Sequence, residues 1–88
     1  LSSIKFNNNG IHDIGACDFA KNLPYTQLSY VNLSLNHIGD IGARDFSAHL
    51  NNSQVRFLDL SFNEIGDQGA KDLSINLKKS QVIYLNIF

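Results

Sequence analysis

The stretch LSYVNLSLNHIGDIGARDF, from Leu28 to Phe46, decides the fold because it returns 27 residues later as VRFLDLSFNEIGDQGAKDL, from Val55 to Leu73. Both read LxxLxLxxNxI at their start, seen in Leu28, Val31, Leu33, Asn36 and Ile38, and in Val55, Leu58, Leu60, Asn63 and Ile65. Working outward, Leu1, Ile4, Phe6 and Asn9 supply the same pattern one period earlier, and Val82, Leu85 and Ile87 begin it one period later. Units 1–27, 28–54 and 55–81 and a partial unit 82–88 account for all 88 residues. A repeat of this size predicts a solenoid, in which each unit buries its apolar face against its neighbours.

Two apolar positions spaced two apart, as in Val31 and Leu33, are strand periodicity, so Lys5, Asn32, Asp59 and Asn86 fall on the opposite face. Successive units then place their strands side by side in a parallel sheet, which requires a crossover. Ala43, Phe46, Ser47 and Leu50 provide it, as their spacing of three, four and seven is one helical stripe with Arg44, Asp45, Ala48 and His49 facing away. Ala16, Phe19, Ala20 and Leu23, and Ala70, Leu73, Ser74 and Leu77, are the equivalents. The small residues Ala20, Ser47 and Ser74 share a column that lets helix and sheet approach closely. Pro24, the asparagines after Leu50 and the Lys78–Lys79 pair read as helix stops.

Three polar ladders accompany this pattern. Asp13, Asp40 and Asp67 precede each stripe and are expected to cap the helix that follows. Asn9, Asn36 and Asn63 follow each strand at a bend, where a side-chain amide donates to and accepts from backbone groups that have left the sheet. Gly15, Gly42 and Gly69 mark a close approach or an unusual dihedral at the helix start. A further column of Asp18, Asp45 and Asp72, beside Cys17, Arg44 and Lys71, is expected to form salt bridges between repeats.

Composition excludes several roles. Seven basic and eight acidic residues give a formal charge of −1, and only Lys78 and Lys79 are adjacent, so nucleic acid and anionic membrane are poor partners. Apolar runs are too short to span a bilayer. The single Cys17 has no disulfide partner within the chain, which favours a reducing, cytoplasmic setting. Asn32-Leu-Ser34 and Asn51-Asn52-Ser53 match the glycosylation triplet, but in an asparagine-rich chain they read as coincidence. His12, His37 and His49 occupy three different offsets in the repeat, so no metal site is expected, and one aspartate per unit is too few for calcium. No catalytic residue is assigned, because no nucleophile elbow, phosphate loop or HExxH motif occurs; neither is a cofactor.

The pattern LxxLxLxxNxIGDxGAxxL resembles the leucine-rich repeat of the ribonuclease-inhibitor-like class, over the whole chain. The segments GACDFA at 15–20, GARDFS at 42–47 and GAKDLS at 69–74 further resemble the GALA subtype of bacterial effectors, the last two with Ser where that motif has Ala. The resemblance implies an α/β solenoid arc with parallel strands on the concave face, helices on the convex face, and protein binding on the concave face and its adjoining loops. It also implies a cytoplasmic location, the host cytosol for an effector.

On such an arc the outward strand positions form columns: Ser3, Tyr30, Phe57 and Tyr84 at one offset, and Lys5, Asn32, Asp59 and Asn86 two residues on. Asn8, Leu35 and Phe62 follow just beyond the strands. Contiguous exposed aromatic and aliphatic groups mark binding surfaces, so Tyr30, Leu35, Phe57, Phe62, Tyr84 and Phe88 are the candidate anchors, with Asn32, Arg56, Asp59 and Asn86 setting orientation. Stacked rings that stabilise the sheet are the structural alternative. The leading functional expectation is a non-catalytic module that grips a folded partner protein and, by family analogy, inhibits a partner enzyme. The alternatives are a GTPase-activating regulator or a substrate-recruiting subunit of a ubiquitin ligase. Leu1 opening on a core position and Phe88 closing inside a strand are read as a segment of a longer array, open to association through its ends.

Overall fold

The computed structural model describes residues 2–88, so the expected core position Leu1 lies outside the described residues. Each unit is a strand followed by a helix: β1 (Ser2–Lys5), α1 (His12–Asn22), β2 (Leu28–Asn32), α2 (Asp40–Leu50), β3 (Phe57–Asp59), α3 (Asp67–Leu77) and β4 (Tyr84–Asn86). A 3-10 turn over Leu23–Tyr25, started by Pro24, closes the first unit. The strands form one parallel sheet in the order β1-β2-β3-β4. From Ser3 onward the paired residues differ by the repeat length, as in Tyr30 with Phe57 and Phe57 with Tyr84. Positions alike in sequence therefore become neighbours in space. Strands sit about 4.8 Å apart and packed helices about 8–10 Å apart, so the stack curves with its strands inside.

The core lies between these layers. Val31, Leu33, Leu58 and Leu60 point inward from the strands to meet Ala16, Ala20, Ala43, Phe46, Leu50 and Leu73 from the helices, all fully buried. Each large side chain contributes about 1.5–3 kcal/mol on burial. Phe19 bridges units, its ring 6.2 Å from that of Phe46 and 6.0 Å from that of Phe6. Phe6 departs from the expected core role and remains 39% exposed. In the small-residue column Ala20 and Ser47 are buried and Ser74 is exposed.

The asparagine ladder works as the sequence implies. Fully buried Asn36 accepts through Oδ1 from Asn9 N (2.7 Å) and Ile11 N (3.3 Å), and donates through Nδ2 to Phe6 O (2.9 Å) and Ser34 O (3.1 Å). Asn63 repeats this one unit later, accepting from Asn36 N and Ile38 N, both at 2.9 Å. Each asparagine thus ties its own loop to that of the unit before it.

The aspartates correct the expectation. Asp40 and Asp67 occupy the first helical turn, after Gly39 and Gly66 at the N-cap positions, and none of the three helices has a side-chain cap bond. Instead Asp13 Oδ1 accepts from Gly39 N (2.6 Å), and Asp40 Oδ1 from Gly66 N (2.7 Å) and Gly69 N (3.0 Å). Each carboxylate serves the helix N-terminus of the following repeat, where unpaired amides and the helix dipole favour it. This explains two of the three glycines, since a Cβ on Gly42 or Gly69 would stand 2.5 or 2.6 Å from the incoming Asp Oδ1, whereas one on Gly15 would meet Ile11 Cγ2 at 2.6 Å.

The convex-face column also differs from expectation. Cys17 Sγ donates to Asp45 Oδ2 across the repeat boundary (2.8 Å), while Arg44 pairs with its sequence neighbour Asp45 at 3.6 Å. Burial, followed by the Asp45 bond, pushes the Cys17 thiol up from 9.0 to about 11. The same bond is the chief influence holding Asp45 below its ordinary value.

Two outcomes follow from these contacts. Asn36→Ala orphans several buried backbone groups at once and is expected to lower stability by about 3 kcal/mol in urea unfolding; a loss below about 0.5 kcal/mol would show that water replaces the amide. At pH 8 Cys17 holds about 100-fold less thiolate than a thiol of pKa 9.0, so iodoacetamide should alkylate it far more slowly in the native chain than in urea. Asp45→Asn should narrow that difference.

Candidate functional site

The alternation of β2 and β3 that buries Val31 and Leu58 turns Tyr30, Phe57 and Tyr84 to the concave side. Their ring centroids lie 6.4 and 6.1 Å apart with tilts of 33° and 35°, so the rings form one continuous column. Between them runs a trough of about 270 Å³ lined by Tyr30, Phe57, Leu58, Asp59 and Tyr84. Mutual packing accounts for part of the ring surface, yet Phe57 and Tyr84 remain exposed. The column is both a cross-strand stack and an open apolar surface.

Asn32, Asp59 and Asn86 stand beside it in register. Each also closes a turn: Asn32 Oδ1 accepts from Ser34 N (3.0 Å) and Ser34 Oγ (2.8 Å), Asp59 Oδ1 from Ser61 N (2.9 Å) and Ser61 Oγ (2.6 Å), and Asn86 Oδ1 from Phe88 N (3.1 Å). Ser34 and Ser61 are buried by these bonds. Such Asx turns bend the chain sharply.

The bend delivers Leu35 and Phe62 into the left-handed region, at φ 60° and 57°, with Asn8 at 61°. Asn tolerates this conformation, whereas for Leu and Phe it costs roughly 1–2 kcal/mol. Both side chains nonetheless face solvent, Leu35 at 46% and Phe62 at 69% exposure. Two large apolar groups are thus held outward on a strained backbone, a few residues beyond the ends of β2 and β3.

The remaining candidates sit apart. Arg56 is exposed on the residue before β3 and does not line the trough, although its carbonyl accepts from Ile83 N (2.8 Å) and Tyr84 N (3.1 Å). Phe88 is 98% exposed beyond β4 and takes part in none of the ring pairs among the described residues, so it does not join the column.

Sequence reasoning missed a contact on the loop edge. The His12 and His37 rings stack at 5.2 Å and 14°, and His37 Nδ1 lies 2.8 Å from Glu64 Oε2. The two histidines stand two positions apart in repeat offset, so the sequence columns do not pair them. Both also take positive φ, which periodicity does not report. Among the described residues no group of three His, Cys, Asp or Glu side chains is placed to hold a metal ion. Among the described residues no helix is long and apolar enough to cross a membrane.

Phe62→Gly separates strain from packing. Glycine relieves the left-handed penalty and forfeits little buried surface, so urea unfolding should show stability maintained or raised by about 0.5–1 kcal/mol. A loss above about 1 kcal/mol would instead give the ring a packing role in the fold.

The leucine-rich repeat family model matches residues 26–47 and 51–74, just over half of the chain. No curated protein matches it. Members of this family are typically non-catalytic modules that bind other proteins. The matched segments carry β2, β3 and the first eight residues of α2 and of α3, with Asn36, Asp40, Asn63 and Asp67 of the ladders, and on that basis the chain belongs to the leucine-rich repeat family.

Proposed function

We propose that the chain binds a folded partner protein through the concave surface formed by Tyr30, Phe57 and Tyr84, extended by Leu35 and Phe62. The observation that carries this reading is the combination of a continuous ring column with two outward apolar side chains on strained backbone. A fold gains little from exposing Phe62 at such a position, whereas an interface gains a rigid anchor. Asn32, Asp59 and Asn86 flank the anchors and give the polar contacts, with Arg56 at the rim.

In its more specific form, the arc belongs to the ribonuclease-inhibitor-like class and inhibits a partner enzyme by covering its active site. The 27-residue unit with a full α-helix in each crossover supports that assignment. The GALA-like segments support a bacterial effector working in the host cytosol, and a half-buried thiol pushed up to about 11 fits a cysteine that stays reduced there.

The test is affinity capture with the full chain, comparing the wild type with a Tyr30→Ala, Phe57→Ala, Tyr84→Ala variant and with a convex-face control, Arg44→Ala, Lys71→Ala. The concave variant should lose the partner by at least about 30-fold in affinity while keeping its circular dichroism, and the control should retain it. Undiminished capture by the concave variant would refute the site.

A further inference from the structure

We propose, building on the concave face as a protein-binding surface, that the trough between Tyr30, Phe57 and Tyr84 accepts an arginine side chain of the partner, with the Asp59 carboxylate as its counter-charge. At about 270 Å³ the trough lies at the small end of the ligand-pocket range of roughly 300–1,000 Å³. It has room for one large side chain.

Asp59 identifies the charge of that side chain. The turn it closes is also closed at the two equivalent positions by neutral amides, Asn32 and Asn86, so the fold needs an oxygen there and not a negative charge. Ser61 occupies Oδ1 through two hydrogen bonds and fixes the carboxylate, while Oδ2 has no protein partner among the described residues. No ion pair among the described residues involves it. Lys5 shares the register position but stands two strands away, about 10 Å by strand spacing, and Arg56 lies outside the trough lining.

The trough walls favour the same ligand. Aromatic faces carry negative potential and attract cations within about 6 Å of the ring centroid. Guanidinium is planar and weakly hydrated, so it stacks on rings and loses less on leaving water than an ammonium does. Tyr30 and Tyr84 line the trough as well, and a phenol oxygen is a further acceptor for guanidinium N–H groups.

The probes are blocked tripeptides, acetyl-Gly-X-Gly-amide with X as Arg, Lys, Leu or Glu, titrated into the full chain while the aromatic resonances of Tyr30, Phe57 and Tyr84 are followed by NMR. The arginine peptide should shift these resonances saturably, the lysine peptide more weakly, and the leucine and glutamate peptides not at all. Asp59→Asn, which keeps the turn as Asn32 and Asn86 do, should weaken arginine binding about threefold or more. The assignment is overturned if leucine, glutamate or lysine binds as well as arginine, if Asp59→Asn leaves arginine binding unchanged, or if no peptide shifts the rings. Those results would leave partner capture by the concave face to stand or fall on the triple-alanine comparison.

Discussion

Everything on this surface depends on side chains of one repeat satisfying backbone groups of the next. Asn36 and Asn63 reach back to the loop of the preceding unit, while Asp13 and Asp40 reach forward to the helix N-terminus of the following one. Each boundary between complete units is therefore stitched from both directions. Without these bonds, the amides and carbonyls that leave the sheet after each strand would be buried unpaired. The same constraint dictates the glycines, since Gly42 and Gly69 leave the space that the carboxylates enter.

A loop fixed in this way can hold conformations that a free loop would abandon. The bends closed by Asn32 and Asp59 keep Leu35 and Phe62 in the left-handed region with their side chains outward. The penalty at each is comparable with the worth of one good hydrogen bond. On the proposed reading, function resides in what varies along the columns. The position shared by Asn32, Asp59 and Asn86 is structural through its oxygen, and the charge of Asp59 is what we propose a partner reads.

Much of this was legible in the sequence because a parallel sheet with a register equal to the repeat converts sequence columns into spatial ones. The Tyr30, Phe57 and Tyr84 column, the Ala43, Phe46, Ser47 and Leu50 stripe and the asparagine ladder all follow from that equality. Periodicity fails where it is silent about which unit a side chain serves. Asp40 looks the same in sequence whether it caps its own helix or the next, and only the curvature of the stack brings it to Gly66 and Gly69. The same gap hid the Cys17 bond to Asp45, since the sulfur reaches a neighbouring offset. The His12 stack on His37 was hidden twice, by unequal offsets and by positive φ at both residues.

Native-state amide hydrogen exchange tests the central claim most directly. The stitched amides of Asn36, Ile38, Gly66 and Gly69 should be protected, and should exchange with the same opening free energy as the Leu33 and Leu60 amides, which continue the sheet ladder one residue past β2 and β3. That result would make the loop edge and the concave sheet one cooperative unit. Loop amides exchanging at unfolded-chain rates beside protected strands would contradict it, and with it the rigid display of Leu35 and Phe62.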